Sequence, residues 1–266
     1  MHVERFESAL WQTSSLLLAA EGEAVAIDPG ISRPEVEALA VRADEVGARV
    51  THVLATHADW DHVCGIAAFP DAVAAMGPLT AQAVAGGGPA ELIARRALEH
   101  DLEIVGSPRV DRTLVPGVAH RVGPFTVETI ALAGHTPDGL GFRLRSPDVL
   151  VVGDHLSTVE FPFVSDTAAY RFTLAGLIDV LRHDPPAQVV PGHGPALDAA
   201  QALAIAEADL AYLRALRDAV AGALASGADR EQAYEAGLEA EPPRPAEIPG
   251  AYAANVGAQL EELLAA

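Results

Sequence analysis

The stretch Thr56-His57-Ala58-Asp59-Trp60-Asp61-His62 sets two imidazoles and two carboxylates within six positions, His57 to His62. Side chains of these types at this density rarely serve packing; together they are candidate ligands for a divalent cation. The β-type run Val50-Thr51-His52-Val53-Leu54-Ala55 leads into them. A strand that ends in a short loop projects alternate side chains toward one point, so His57, Asp59 and Asp61 converge while His62 enters at the start of the next helix. The plainer alternative is a polar turn, with Asp61 an ordinary N-cap for Val63-Cys64-Gly65. Three later stretches weigh against it: Ala133-Gly134-His135-Thr136-Pro137, Val151-Val152-Gly153-Asp154-His155 and Val189-Val190-Pro191-Gly192-His193-Gly194. Each ends an apolar run beside glycine or proline, where the backbone can turn tightly near an ion.

In content and order these motifs resemble the metallo-β-lactamase superfamily, whose pattern is H-x-H-x-D-H, then a lone histidine, a bridging aspartate and a final histidine. The resemblance spans roughly residues 12 to 195. It implies that His57, Asp59 and His135 hold one metal, that Asp61, His62 and His193 hold a second, and that Asp154 bridges them. It also implies hydrolysis by a metal-bridging hydroxide, with Asp61 orienting the nucleophile and relaying its proton. One position departs from the pattern, since Asp59 stands where the second histidine is usual. The exchange lowers the site's charge by one unit, so that two divalent ions and a hydroxide are balanced by Asp59, Asp61 and Asp154. Two divalent metal ions are expected, zinc first, and because carboxylate is a harder ligand than imidazole the site should tolerate iron or manganese better. A flavodiiron-type branch of the superfamily carries glutamate at the matching position and uses iron, which makes non-haem iron redox chemistry the alternative activity.

Small-molecule carbonyl compounds (thioesters, esters or lactones) are the expected substrates, with a phosphodiester as a further option. Trp60, Phe161 and Phe163 are candidate apolar walls, and Tyr170 and Arg171 candidate polar contacts. His155 directly follows Asp154 and should point the other way on an extended backbone; it is a candidate substrate contact. The net charge of −20, from 37 acidic residues against 17 arginines and no lysine, disfavours DNA or RNA as a partner. Leu16-Leu17-Leu18-Ala19-Ala20 is too short to cross a membrane, and no export signal is visible. With Cys64 the only cysteine, no intrachain disulfide can form, which fits a cytoplasmic protein.

The elements that must position these residues form an α/β (α+β) pattern. Strand-like runs at Thr13–Ala20 and Ala24–Ile27 form a hairpin, and a helix follows from Pro34 to Val46. Asp28, before Pro29-Gly30, reads first as a turn residue and second as support for a metal-site histidine. Gly86-Gly87-Gly88-Pro89 separates two helical stretches in a lid-like insertion. Runs at Val118–Val122, Phe125–Leu132, Gly141–Leu144 and Val149–Val152 supply a second sheet, completed by a helix at Phe172–His183 and a strand at Gln188–Val190. The order suggests two packed sheets with helices outside, the αββα sandwich that the resemblance also implies. This domain is expected over residues 1–198. Residues 199–266 form a helical extension, interrupted at Glu241-Pro242-Pro243-Arg244-Pro245, that suits either a cap or a homodimer face.

Overall fold

The computed structural model describes residues 1–244 and 251–265. Its first sheet holds β1 (His2–Glu7), β2 (Ser14–Ala20), β3 (Glu23–Ile27), β4 (Arg49–Ala55), β5 (Val73–Met76) and β6 (Arg112–Thr113), in that spatial order. β1, β2 and β3 are antiparallel, whereas β3 to β6 run parallel. The second sheet holds β7 (Ala119–Val122), β8 (Phe125–Ala131), β9 (Leu140–Arg145), β10 (Asp148–Val151) and β11 (Gln188–Val190), ordered β11-β10-β9-β8-β7. Only its β10/β11 pair is parallel.

Strand periodicity explains how the sheets stack. In β2, Leu16 and Leu18 face the second sheet, while Leu17 and Ala19 face the helices outside. All four are buried, so the strand reads as a continuous apolar run instead of an alternating one. Between the sheets Leu16, Ile27 and Leu54 meet Phe125, Phe142, Leu144 and Val190.

Two helical layers complete the sandwich. Outside the first sheet lie α1 (Arg33–Glu45), α3 (Pro78–Ala85) and α4 (Gly88–Glu99), which bury Val36, Leu39, Ala81, Val84 and Ile93 against it. A short helix, α2 (Trp60–Val63), follows β4 directly. α1 opens with a capping box in which Ser32 and Glu35 satisfy each other's backbone N–H. Against the second sheet pack α5 (Thr167–His183), α6 (Ala199–Ala225), α7 (Arg230–Leu238) and α8 (Ala251–Ala265). Leu150 and Val189 of the sheet, with Val152 just after β10, share one core with Leu174 and Leu177 of α5, Leu213 of α6, Ala233 of α7 and Leu260 of α8. The helices after residue 199 are thus continuous with the outer helical layer.

The fold class agrees with the sequence-based expectation, while several elements, the two-residue β6 among them, carry no clear sequence signal. β1 is half-buried and carries Glu4, Arg5 and Glu7, charges typical of an edge strand, so no apolar alternation marks it. β5 has only four residues, and α7 has too few apolar positions to show a helical stripe. α5 begins at Thr167, ahead of the expected Phe172, which is 83% exposed. Pro245, in the expected break, lies outside the described residues. Among the described residues no helix is long and apolar enough to cross a membrane.

Candidate metal centre

The loops after β4, β8, β10 and β11 meet at one edge of the sandwich. Gly192 makes this approach feasible, because a Cβ there would stand 2.0 Å from Asp154 Oδ1. Its N–H donates to the Gly153 carbonyl at 2.6 Å, and Gly153 has φ +52°, a conformation that suits glycine.

This convergence brings all seven predicted ligands together. His57, Asp59, His135 and Asp154 form one group, and Asp61, His62 and His193 a second; within each, the donor atoms lie within 4.8 Å of one another. Asp154 stands between the two. Its Oδ2 is 3.5 Å from His57 Nε2, 3.2 Å from His135 Nε2 and 3.3 Å from His193 Nε2, and its Oδ1 is 3.1 Å from His62 Nε2. Asp59, at the departing position, reaches His135 Nε2 with its Oδ2 at 3.1 Å.

Each imidazole is held from behind by its other nitrogen. His57 Nδ1 meets Thr56 Oγ1 at 3.0 Å, and His62 Nδ1 meets Asp28 Oδ2 at 3.0 Å. His135 Nδ1 donates to the Phe163 carbonyl at 3.0 Å, and His193 Nδ1 to the Trp11 carbonyl at 3.0 Å. With a proton on Nδ1, Nε2 presents its lone pair to the centre, which is the orientation a metal requires. Asp28 does more than terminate β3, since its carboxylate also accepts from the Thr56 N–H and hydroxyl, both at 2.8 Å. Asp61 is steadied by the Thr13 hydroxyl, which donates to its Oδ2 at 3.2 Å. Asp138, 80 residues along the chain, pins the loop by accepting from the Ala58 N–H.

The donor set fits divalent cations. His57 Nε2, His62 Nε2 and Asp154 Oδ1 are buried, point inward and have no hydrogen-bond partner among the described residues. Such atoms are costly unless something binds them. The charge balance points the same way: burial disfavours protonation of His57 and His193, yet Asp154 and its neighbours outweigh it and raise both to about 9. Burial likewise opposes the charge on Asp154, but the four surrounding histidines hold it well below the usual carboxylate range. The cage stabilises positive charge at its middle, whether carried by protons or by metal ions.

A cleft of about 260 Å³ opens onto these ligands. Asp59, Asp61, His135, Asp154 and His193 form its floor, and Trp60, Phe161 and Phe163 line its sides, as the sequence suggests. The other three substrate-contact candidates stand off it. His155 is buried, with Nδ1 on the Val152 carbonyl and its ring 4.5 Å from that of Tyr170; burial, then the His135 charge, depresses it to about 3. Tyr170 is 1% exposed and its hydroxyl donates to the Asp154 carbonyl. Arg171 is taken up by Gln259 and Glu262 of α8. In their place the cleft gains Trp11, Leu92 and Arg96, with Glu160 close to His193. Leu92 and Arg96 come from α4, so the lid-like insertion forms one wall. Trp11 packs edge-on to Trp60 at 5.5 Å, a contact that no sequence spacing indicates. Cys64 is fully buried with its Sγ–H on the Trp60 carbonyl, and burial raises its thiol well above the ordinary value, so it is an inert packing group.

Comparison with known proteins identifies the family and the fold. Residues 9–193 match the metallo-beta-lactamase superfamily. A hydroxyacylglutathione hydrolase of Rhodospirillum rubrum is 28% identical over 137 residues, a span covering 52% of this chain and 44% of that protein. Among solved structures, the metallo-beta-lactamase family protein TTHA1429 from Thermus thermophilus superposes with a TM-score of 0.70 at 20% identity, covering 99% of this chain and 93% of that one. TTHA1623, solved in a di-iron-bound form, is 26% identical with a TM-score of 0.58, over 75% of this chain and 96% of its own. The chain belongs to the metallo-β-lactamase superfamily.

Proposed function

We propose that this protein hydrolyses a small carbonyl compound, a thioester in the first instance and otherwise an ester or lactone, at a two-metal centre. The observation that carries this reading is the set of four imidazoles, each fixed through Nδ1, whose Nε2 atoms share one focus with Asp59, Asp61 and Asp154 beneath an open cleft. His57, Asp59 and His135 would hold one cation, Asp61, His62 and His193 the other, and Asp154 both. When bound, divalent cations supply a Lewis acid for the substrate oxygen and make water a nucleophile at neutral pH. The side chains do the rest. Trp60, Phe161 and Phe163 exclude solvent and bind the apolar part of the acyl compound. Asp61, steadied by Thr13, would orient the attacking water and relay its proton to the leaving group. The likeness to a hydroxyacylglutathione hydrolase supports a thioester.

Zinc is the first choice of metal, with iron or manganese also suited to the site. Asp59 and the di-iron form of TTHA1623 favour iron and sustain a second reading, oxidative chemistry at a non-haem iron pair. Protein reconstituted separately with zinc, manganese and ferrous iron, assayed on thioester, lactone, phosphodiester and β-lactam substrates and for oxygen uptake, tests both. Thioester or lactone turnover with zinc is the expected result. Oxygen consumption with iron and no hydrolysis under any metal would overturn the hydrolytic reading.

A further inference from the structure

Glu160 occupies a position that the seven-ligand scheme leaves unexplained. Its carboxylate is 22% exposed and stands in the cleft with Oε2 3.9 Å from His193 Nε2. One carboxylate oxygen of Glu160, one of Asp154 and a nitrogen of His193 lie within 4.8 Å of one another, a third set of donors sharing two members with the centre. Among the described residues no N–H or O–H donates to the Glu160 carboxylate. A fourth acid placed beside Asp59, Asp61 and Asp154 is unfavourable on its own, because like charges repel in a partly desolvated cleft.

The main chain nonetheless holds it there. The Glu160 N–H donates to Ser157 Oγ at 3.0 Å, and its carbonyl accepts from Arg244 Nε at 2.8 Å. Arg244 in turn donates to Asp209 Oδ1 of α6 at 2.7 Å, where Asp209 is 1% exposed. A residue whose backbone N–H and carbonyl are both anchored, and whose carboxylate stands beside His193 and Asp154, is placed for a cation.

Resting on the two-metal reading above, we propose that Glu160 is a further ligand of the metal centre, joining His193 and Asp154 on the cation that Asp61 and His62 also hold, and so supplying the centre's fourth carboxylate, and that Arg244 is its positioning residue. With Glu160 included, four carboxylates neutralise two divalent ions before any hydroxide is counted. That makes this half of the centre harder and raises its affinity for manganese or ferrous iron relative to a site without Glu160.

The test is metal binding, read independently of turnover. Apo-protein is titrated with manganese and zinc by calorimetry, and cobalt(II) loading is followed through its visible ligand-field bands, for the wild type, Glu160→Gln, Glu160→His and Arg244→Ala. Glu160→Gln keeps the side-chain volume, and its unloaded melting temperature confirms that it folds. The proposal expects wild-type protein to bind two ions and Glu160→Gln to lose ten- to a hundredfold in affinity for one of them, with altered cobalt bands. Glu160→His should recover zinc binding more than manganese binding, and Arg244→Ala should show a smaller loss of the same kind. Two ions bound by Glu160→Gln at wild-type affinity with unchanged cobalt bands would overturn the proposal and leave the two-metal reading standing. Failure of the wild type to bind a second ion would overturn both.

Discussion

Replacing Asp28 with asparagine tests whether the buried shell behind the ligands governs metal binding. Asp28 is 2% exposed, and its two oxygens take the Thr56 N–H, the Thr56 hydroxyl and the Nδ1 side of His62. Asparagine has nearly the same shape but one acceptor oxygen and one NH₂. The Thr56 N–H can be satisfied only by oxygen, which turns the amide NH₂ toward Thr56 Oγ1 and His62 Nδ1. The hydroxyl can rotate to accept. His62 can accept only by losing its Nδ1 proton, which moves to Nε2 and blocks the atom meant for the cation. Hydrogen bonds to a charged group contribute ~1.5–3 kcal/mol, and loss of an outer partner of a metal-bound histidine typically weakens affinity ten- to a hundredfold, about 1.4–2.8 kcal/mol. The two figures agree, so Asp28→Asn should weaken one of the two metal sites by roughly that factor. Calorimetric titration of unloaded wild type and variant measures it, with unloaded melting curves showing that both are folded. A variant that binds both ions within twofold of wild type would refute the tautomer argument.

Two further outcomes follow from the helices after residue 199. Asn255 of α8 is fully buried, accepts from the Val164 N–H at 3.1 Å and donates to the Pro162 carbonyl at 2.6 Å. Asn255→Ala strands both groups, so thermal melting should fall by roughly 5–10 °C, from ~2–3 kcal/mol; an unchanged Tm would refute the clamp. Burial raises the Asp209 carboxyl from 3.8 to about 6, against the pull of Arg244. A folded value above the unfolded one means the folded chain binds the proton more tightly, so this contribution is full below pH 3.8 and is lost as pH rises through about 6. Relative to Asp209→Asn, the wild type should therefore lose melting temperature between about pH 4.5 and pH 7, and parallel curves would contradict the assignment.

The candidate ligands that the fold brings together are legible in the sequence because histidines and aspartates at the ends of apolar runs have few other uses, and because the strands that carry them alternate or bury in recognisable ways. Asp28 reads first as a turn residue because an aspartate before Pro-Gly already has a sufficient local explanation. Glu160 was masked by the phenylalanines that follow it, which read equally well as wall or core. His155, Tyr170 and Arg171 lie close in sequence to Asp154 or the cleft loop, yet His155 and Tyr170 pack on each other behind Asp154 and Arg171 turns to α8. Adjacency along the chain says little about direction once an extended segment gives way to a turn such as the one from Gly153 to Leu156, where both named residues have positive φ. Trp11, Leu92 and Arg96 reach the cleft through tertiary packing alone, for which a single sequence carries no signal.

The carbonyl that holds His135 belongs to Phe163, and the residues on either side of Phe163 are gripped by one amide on the last helix. The far end of the polypeptide therefore has a say in how an imidazole is angled, although it contributes no ligand. Relatives that share every motif but differ in their closing helices would be free to drift in ion preference, and a graft of those helices would carry that preference along with it.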